Sequence, residues 1–302
     1  MKGNNIIHIL VILLFTFTNC EKNNDQSNNQ ITDGLCIQFG DSIIINHEEI
    51  DYYDFSTHMI YLKETHEFLY NSNWELGNIS FSVYANKEKI YSGCLHSAWS
   101  SSMPVGPYID FPFMYPEYVI KINHSSEEYY YPENSTPDPR EDEEIINTLK
   151  VHGQFHAGLS NSIDEIDIKP NGELSFKITI ANRDTFNYYI LSPERMGIGL
   201  FHYFTNGLSF YNQTTGWLNH QCTIASPEPW DSWSIDWLDL IEGGASKSYN
   251  IHYCDFDTIP SGQYQASFYY PGLRNVKIND INQSNGRIWL GGITTKTESF
   301  AE

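Results

Sequence analysis

Three groups of side chains in this sequence have types and spacings that could do chemistry. In the first, Trp230, Trp233 and Trp237 interleave with Asp231, Asp236 and Asp239. Exposed indoles stack against pyranose rings, and two carboxyls roughly 5–10 Å apart make a glycosidase pair. The competing arrangement folds this segment over a sheet edge and buries its tryptophans, the commoner fate of that residue. Sugar binding through Trp230, Trp233 and Trp237 therefore stays a candidate, and no catalytic residue is assigned. In the second group, His152 and His156 stand four apart, a metal-ligand spacing on a helix. Gly153 and Gly158 make 151–157 read as a strand, which at ~3.3 Å per residue sets the two imidazoles about 13 Å apart, so no metal is expected. The third is the loop Ser100-Ser101-Ser102-Met103-Pro104, which lacks the strained G-x-S-x-G turn a serine nucleophile needs. Zincin, P-loop and dinucleotide motifs are absent, so no cofactor is expected and binding is favoured over catalysis.

Besides Cys20, the chain has Cys36, Cys94, Cys222 and Cys254. Four cysteines in an exported chain allow two disulfides in three pairings. Cys36 with Cys94 and Cys222 with Cys254 follow if the chain divides in two; four free thiols are the alternative. None forms a C-x-x-C pair, which removes the usual zinc and redox readings.

Export itself is read from the first residues. Lys2 precedes an apolar run from Ile6 to Phe17, broken only by His8 and Thr16. That run is shorter than the roughly twenty residues a bilayer core requires, and it has the layout of a signal peptide. Phe17-Thr18-Asn19-Cys20 resembles the lipobox of Gram-negative lipoproteins, departing from it at Phe17 and Asn19, where an aliphatic and a small residue are usual. The resemblance implies a signal peptide over 1–19 and an acylated Cys20. It also implies a lipid anchor in the outer membrane of the cell envelope, with no transmembrane span. Residues 20–34 offer little to bury and are expected to form a flexible tether.

Across 302 residues, 17 Lys and Arg face 38 Asp and Glu, a formal charge of −21. Such a surface repels phosphate backbones and excludes a nucleic-acid partner. With 21 Tyr, 17 Phe and 7 Trp the composition favours packed strands.

An acidic, proline-rich stretch at 131–145 divides the chain. Residues 35–130 read as a small α+β domain: strands at 43–45 and 59–62, a helix at 64–73, a hairpin of 81–84 with 90–92, and a strand at 118–122. In 146–302, Leu174, Phe176, Ile178 and Ile180 alternate with Ser175, Lys177 and Thr179, the mark of a half-buried strand. Further strands are expected at 186–191, 208–211, 248–253, 264–270 and 287–293, a β-sandwich pattern. Ile259-Pro260-Ser261-Gly262-Gln263-Tyr264 resembles the tyrosine corner of immunoglobulin-like domains, whose hydroxyl bonds back to the preceding turn. Leu240-Ile241-Glu242-Gly243-Gly244-Ala245-Ser246 resembles the entry to the strand before that corner. The strand order resembles sandwiches of the bacterial proteinase-inhibitor and adhesin-associated type. The expected fold is mainly β, an α+β unit followed by an immunoglobulin-like sandwich. The expected role is a lipid-anchored, non-enzymatic binding module for an unidentified protein or glycan, the alternative being a carbohydrate-binding or glycan-processing accessory built on the tryptophan segment.

Overall fold

Alternation of apolar and polar residues sets most of the architecture, which in this computed structural model is mainly β. The structure describes residues 30–41, 43–65, 79–102, 104–111, 115–125, 137–169, 171–220, 225–273, 278 and 280–301. The expected signal peptide, most of the tether with Cys20, Cys222, residues 131–136 and most of the 64–73 helix lie outside them. No helix among the described residues is long and apolar enough to cross a membrane.

The first half supplies β1 (Leu35–Phe39), β2 (Ile43–Ile45), β3 (Ile50–Asp54), β4 (Met59–Leu62), β5 (Ser80–Ala85), β6 (Glu88–Ser97), β7 (Gly106–Phe111), β8 (Val119–Lys121) and β9 (Asn123–Ser125). Six of these form a sheet in the order β2-β1-β5-β6-β7-β9. The β5–β6 hairpin turns on Asn86 and Lys87, both at positive φ (49° and 69°), the twist-matched two-residue turn. The expected Cys36–Cys94 disulfide is not formed: both are free thiols. Cys36 pairs with Tyr84 and Cys94 with Ser80 on opposite sides of β5. They are two strand spacings, about 9.6 Å, apart across the sheet and offset by four residues, about 13 Å, along β5, whereas a disulfide needs Cα atoms within about 7 Å.

The acidic stretch continues into structure. Asp138 caps a 3-10 turn over Pro139–Glu141, and Asp142 caps α1 (Glu143–Val151), accepting from Glu144 N at 2.8 Å. Ile145 and Leu149, one helical turn apart, bury against the first core. Helix α1 thus ends inside the segment read as a strand at 151–157, of which only β10 (Phe155–His156) is extended.

The second half adds β11 (Leu159–Ile168), β12 (Leu174–Asn182), β13 (Tyr188–Leu191), α2 (Pro193–Met196), α3 (Ile198–Thr205), β14 (Leu208–Asn212) and β15 (Gly216–Leu218). It continues with β16 (Leu238–Ile241), β17 (Ser246–Tyr253), β18 (Gly262–Pro271), β19 (Asn282–Gln283), β20 (Gly286–Ile288) and β21 (Gly292–Ala301). These make three sheets where a sandwich has two: β11-β12-β17, β15-β14-β18-β21, and β16-β13-β20-β19. Strand β12 buries alternate residues as its pattern requires. The strand expected at 287–293 is interrupted at Trp289–Gly291, and the longer β21 begins beyond it.

Two apolar clusters result. One is built by β1–β8 and α1; the other, by the second half together with Tyr52, Met59, Tyr61 and Val119. The sheet β10-β3-β4-β8 lies between them. Along β4, Ile60 and Leu62 point to the first cluster and Met59 and Tyr61 to the second, the two-sided burial that alternating Cβ directions allow. Residues Ile31–Glu302 accordingly form one compact unit.

Candidate binding surface

The side chains that the sequence offers for chemistry are mostly consumed by structure. His152 caps the C-terminal end of α1 and packs on His47, ring centroids 4.5 Å apart. His156, on β10, points elsewhere: its Nδ1 lies 2.7 Å from Asp184 Oδ1. The two histidines share no ligand position.

His156 belongs to a buried polar knot between the two clusters. Its ring stacks on Phe186 at 3.8 Å, and the Arg287 guanidinium caps Phe186 and Tyr52 at 3.7 and 4.5 Å. Tyr188 Oη donates to Asp184 Oδ2 at 2.9 Å, and Trp289 Nε1 donates to Asp54 Oδ2 at 3.1 Å. Gly158, at φ +67°, passes so close to Asp54 and Ser56 that any Cβ there would collide with them. This buried Asp–His pair ties β10 to the second half, as Trp289 ties β3.

Asp239 is likewise occupied. Arg195 Nε lies 2.5 Å from it, Lys247 Nζ 3.4 Å, and Tyr249 Oη donates to it at 3.0 Å. Burial pushes its carboxyl up, but these partners outweigh burial and hold it below the usual range. That is the wrong direction for the general acid of a glycosidase. His58, Asp138 and Glu141 bring ligand atoms within 4.8 Å of one another. Asp138 is already forked by Arg140, which also donates from Nη1 to Ile122 O at 2.7 Å. Burial first, then Arg140, holds His58 well below its ordinary value. The cluster carries its own cation and pins 138–141 to the first half.

Near the serine loop, His96 Nδ1 lies 3.0 Å from Asp110 Oδ1, and Asn123 donates to Asp110 Oδ2. His96 Nε2 meets the backbone carbonyl of Ser102 at 2.8 Å, while the Ser100 and Ser102 hydroxyls bond each other. Both imidazole nitrogens are thus engaged, one by Asp110 and the other by a backbone carbonyl, which orders the loop. A cleft of about 330 Å³ opens beside the knot, walled by Tyr52, Tyr61 and Tyr118 with Asp51 and Asp280 also lining it.

What remains open to solvent is aromatic. Trp230 is 65 % exposed, whereas Trp233 and Trp237 are partly buried against the second cluster. The segment thus presents one largely exposed indole, Trp230, and two that are half-buried. Trp99 is 80 % exposed and Trp217 58 %. Sequence reading missed Trp217 and its neighbour Tyr211. They face each other across the β14–β15 hairpin, ring centroids 5.0 Å apart and planes inclined by 42°. The hairpin is fixed locally: Asn212 Oδ1 accepts from Thr214 N, Thr215 N and Thr215 Oγ1, and Gly216 adopts φ +72°, the three-residue turn with a left-handed glycine. Register then aligns Trp217, Tyr211, Gln265 and Glu298 in one row on the outer face of β15-β14-β18-β21. The signal was in the sequence, since Tyr211 and Trp217 occupy outward positions once Leu208 and Phe210 point inward, but it needs the hairpin register to be seen. Compared with known proteins, the chain matches no protein-family model and no curated protein.

Proposed function

We propose that this protein is a lipid-anchored binding module of the cell envelope, working through surface aromatic side chains and not through a catalytic centre. One observation carries the reading: Trp99, Trp217 and Trp230 stand 58–80 % exposed, whereas Trp289 and many Tyr and Phe side chains among the described residues are buried, and tryptophan left in water is characteristic of contact surfaces. The Asp–His pairs and Asp239 support it, each being saturated by neighbours. The lipobox-like Phe17-Thr18-Asn19-Cys20 supports attachment by acyl chains to the outer membrane.

The frame proposed for the second half is immunoglobulin-like, with a third sheet added. The two sheets β11-β12-β17 and β15-β14-β18-β21 support a frame of this kind. Tyr264 Oη donates to Pro260 O at 2.8 Å, as a tyrosine corner requires. Strands β13, β16 and β19-β20 lie in the connections and pair with one another. The alternative, a glycan accessory resting on Trp230, Trp233 and Trp237, has less support, since the last two are half-buried against the second cluster.

Fractionation and capture of the intact chain, beside Cys20→Ala and a variant with Trp99, Trp217 and Trp230 all changed to Ala, test the proposal. Cys20→Ala is expected in the soluble fraction, and the triple variant is expected to lose its envelope ligand while keeping the wild-type unfolding midpoint. Membrane retention of exported Cys20→Ala overturns the anchor. Undiminished capture by the triple variant overturns the aromatic surface.

A further inference from the structure

The row Trp217–Tyr211–Gln265–Glu298 combines apolar faces with hydrogen-bonding groups on one side of one sheet. The two rings are inclined by 42°, with Trp217 58 % and Tyr211 37 % exposed. Gln265 is half-buried and Glu298 exposed. Gln263 Nε2 donates to Glu298 Oε2 at 3.0 Å, which holds the carboxylate on this face. At ~4.8 Å per strand, Glu298 lies about 10 Å from Tyr211 across the sheet. The neighbouring row on one side, Ser209, Ser267 and Lys296, is polar, so on that side the apolar area ends at these two rings. The area of two rings is far less than the ~800 Å² each partner gives to a stable protein interface. It is enough for a sugar ring, whose apolar C–H face covers an aromatic side chain while its hydroxyls both donate and accept. The formal charge of −21 repels acidic polymers.

We propose that this face binds a neutral polysaccharide, with one pyranose seated on Tyr211 and Trp217 and the chain running across the strands to Gln265 and Glu298. This rests on the binding-module reading and adds its ligand class and its place, away from the 227–239 segment.

The test is electrophoresis of the intact chain in native gels containing a mixed-linkage β-glucan, a galactomannan, a pullulan or, as the acidic control, alginate. Retardation is expected with at least one neutral polymer and not with alginate, and Trp217→Ala and Tyr211→Ala are each expected to weaken it about tenfold or more. Both side chains are exposed, so the variants should keep the wild-type unfolding midpoint. Absence of retardation in all three neutral gels overturns the inference, as does retardation of full strength in Trp217→Ala. Loss in Trp230→Ala with Trp217→Ala unaffected overturns this location. If the neutral gels are blank but the triple tryptophan variant loses a captured envelope protein, the sugar ligand falls and the binding-module reading stands.

Discussion

Asp54 and Asp184 sit in the same polar knot and are driven in opposite directions. Asp54 is fully enclosed, with donors from Ser56 and Trp289, and burial raises its pKa. Asp184 is also desolvated, yet the bond and charge of His156, with Tyr188 and the Thr185 N–H, outweigh burial and lower its pKa. The fold therefore favours ionised Asp184. Its stabilisation is present above the unfolded-chain value of about 3.9 and is lost as pH falls through the lower folded value. Asp184→Asn is expected to destabilise the protein by about 2–3 kcal/mol at neutral pH and to flatten the acid limb of stability against pH. Urea midpoints measured from pH 7 down to pH 2 check both, and a variant whose acid limb matches wild type would show that Asp184 is not the group responsible.

Among the elements, β18 is the one whose sequence carries the most information. Tyr264, Ala266, Phe268 and Tyr270 are buried in alternation, and Tyr264 also bonds back to Pro260. Tyr264→Phe removes a hydroxyl and leaves the Pro260 carbonyl without this partner, an expected loss of about 1 kcal/mol readable as a lower denaturation midpoint; an unchanged midpoint would deny the bond any role. Strands β2, β4, β12, β14 and β17 were legible for the same reason, since each has an apolar face or run. Helix α1 was not, because Glu143 and Glu144 read as part of an acidic linker, although Asp142 before Ile145 and Leu149 is a capping signal in hindsight. Strand β21 was missed because Thr294, Thr295, Lys296, Thr297 and Glu298 give no apolar alternation. The candidate surface shared that fate: Trp230 was visible as one of a cluster, but Tyr211 and Trp217 become neighbours only through a turn set by Asn212 and Gly216.

At the scale of the whole molecule, the two apolar clusters share the β10-β3-β4-β8 layer, and Trp289 reaches from the second half to Asp54 in the first. A shared wall couples the stabilities of both sides. Thermal unfolding is expected as one transition whose calorimetric and van't Hoff enthalpies agree, with Trp289→Phe lowering that single midpoint. Two resolved transitions would show that the halves melt separately. The same wall constrains how the chain is made. Strand β4 is buried over all four residues, and the cluster on one of its faces, beyond Tyr52, which stacks on Tyr61, and Val119, is completed by residues from 159 onward. A nascent first half, emerging or being translocated on its own, carries Met59, Tyr61 and Val119 incompletely covered, so it is an aggregation-prone intermediate until the later strands arrive. Folding of this chain thus depends on its last strands, and a truncation after β9 is expected to be an aggregation-prone fragment.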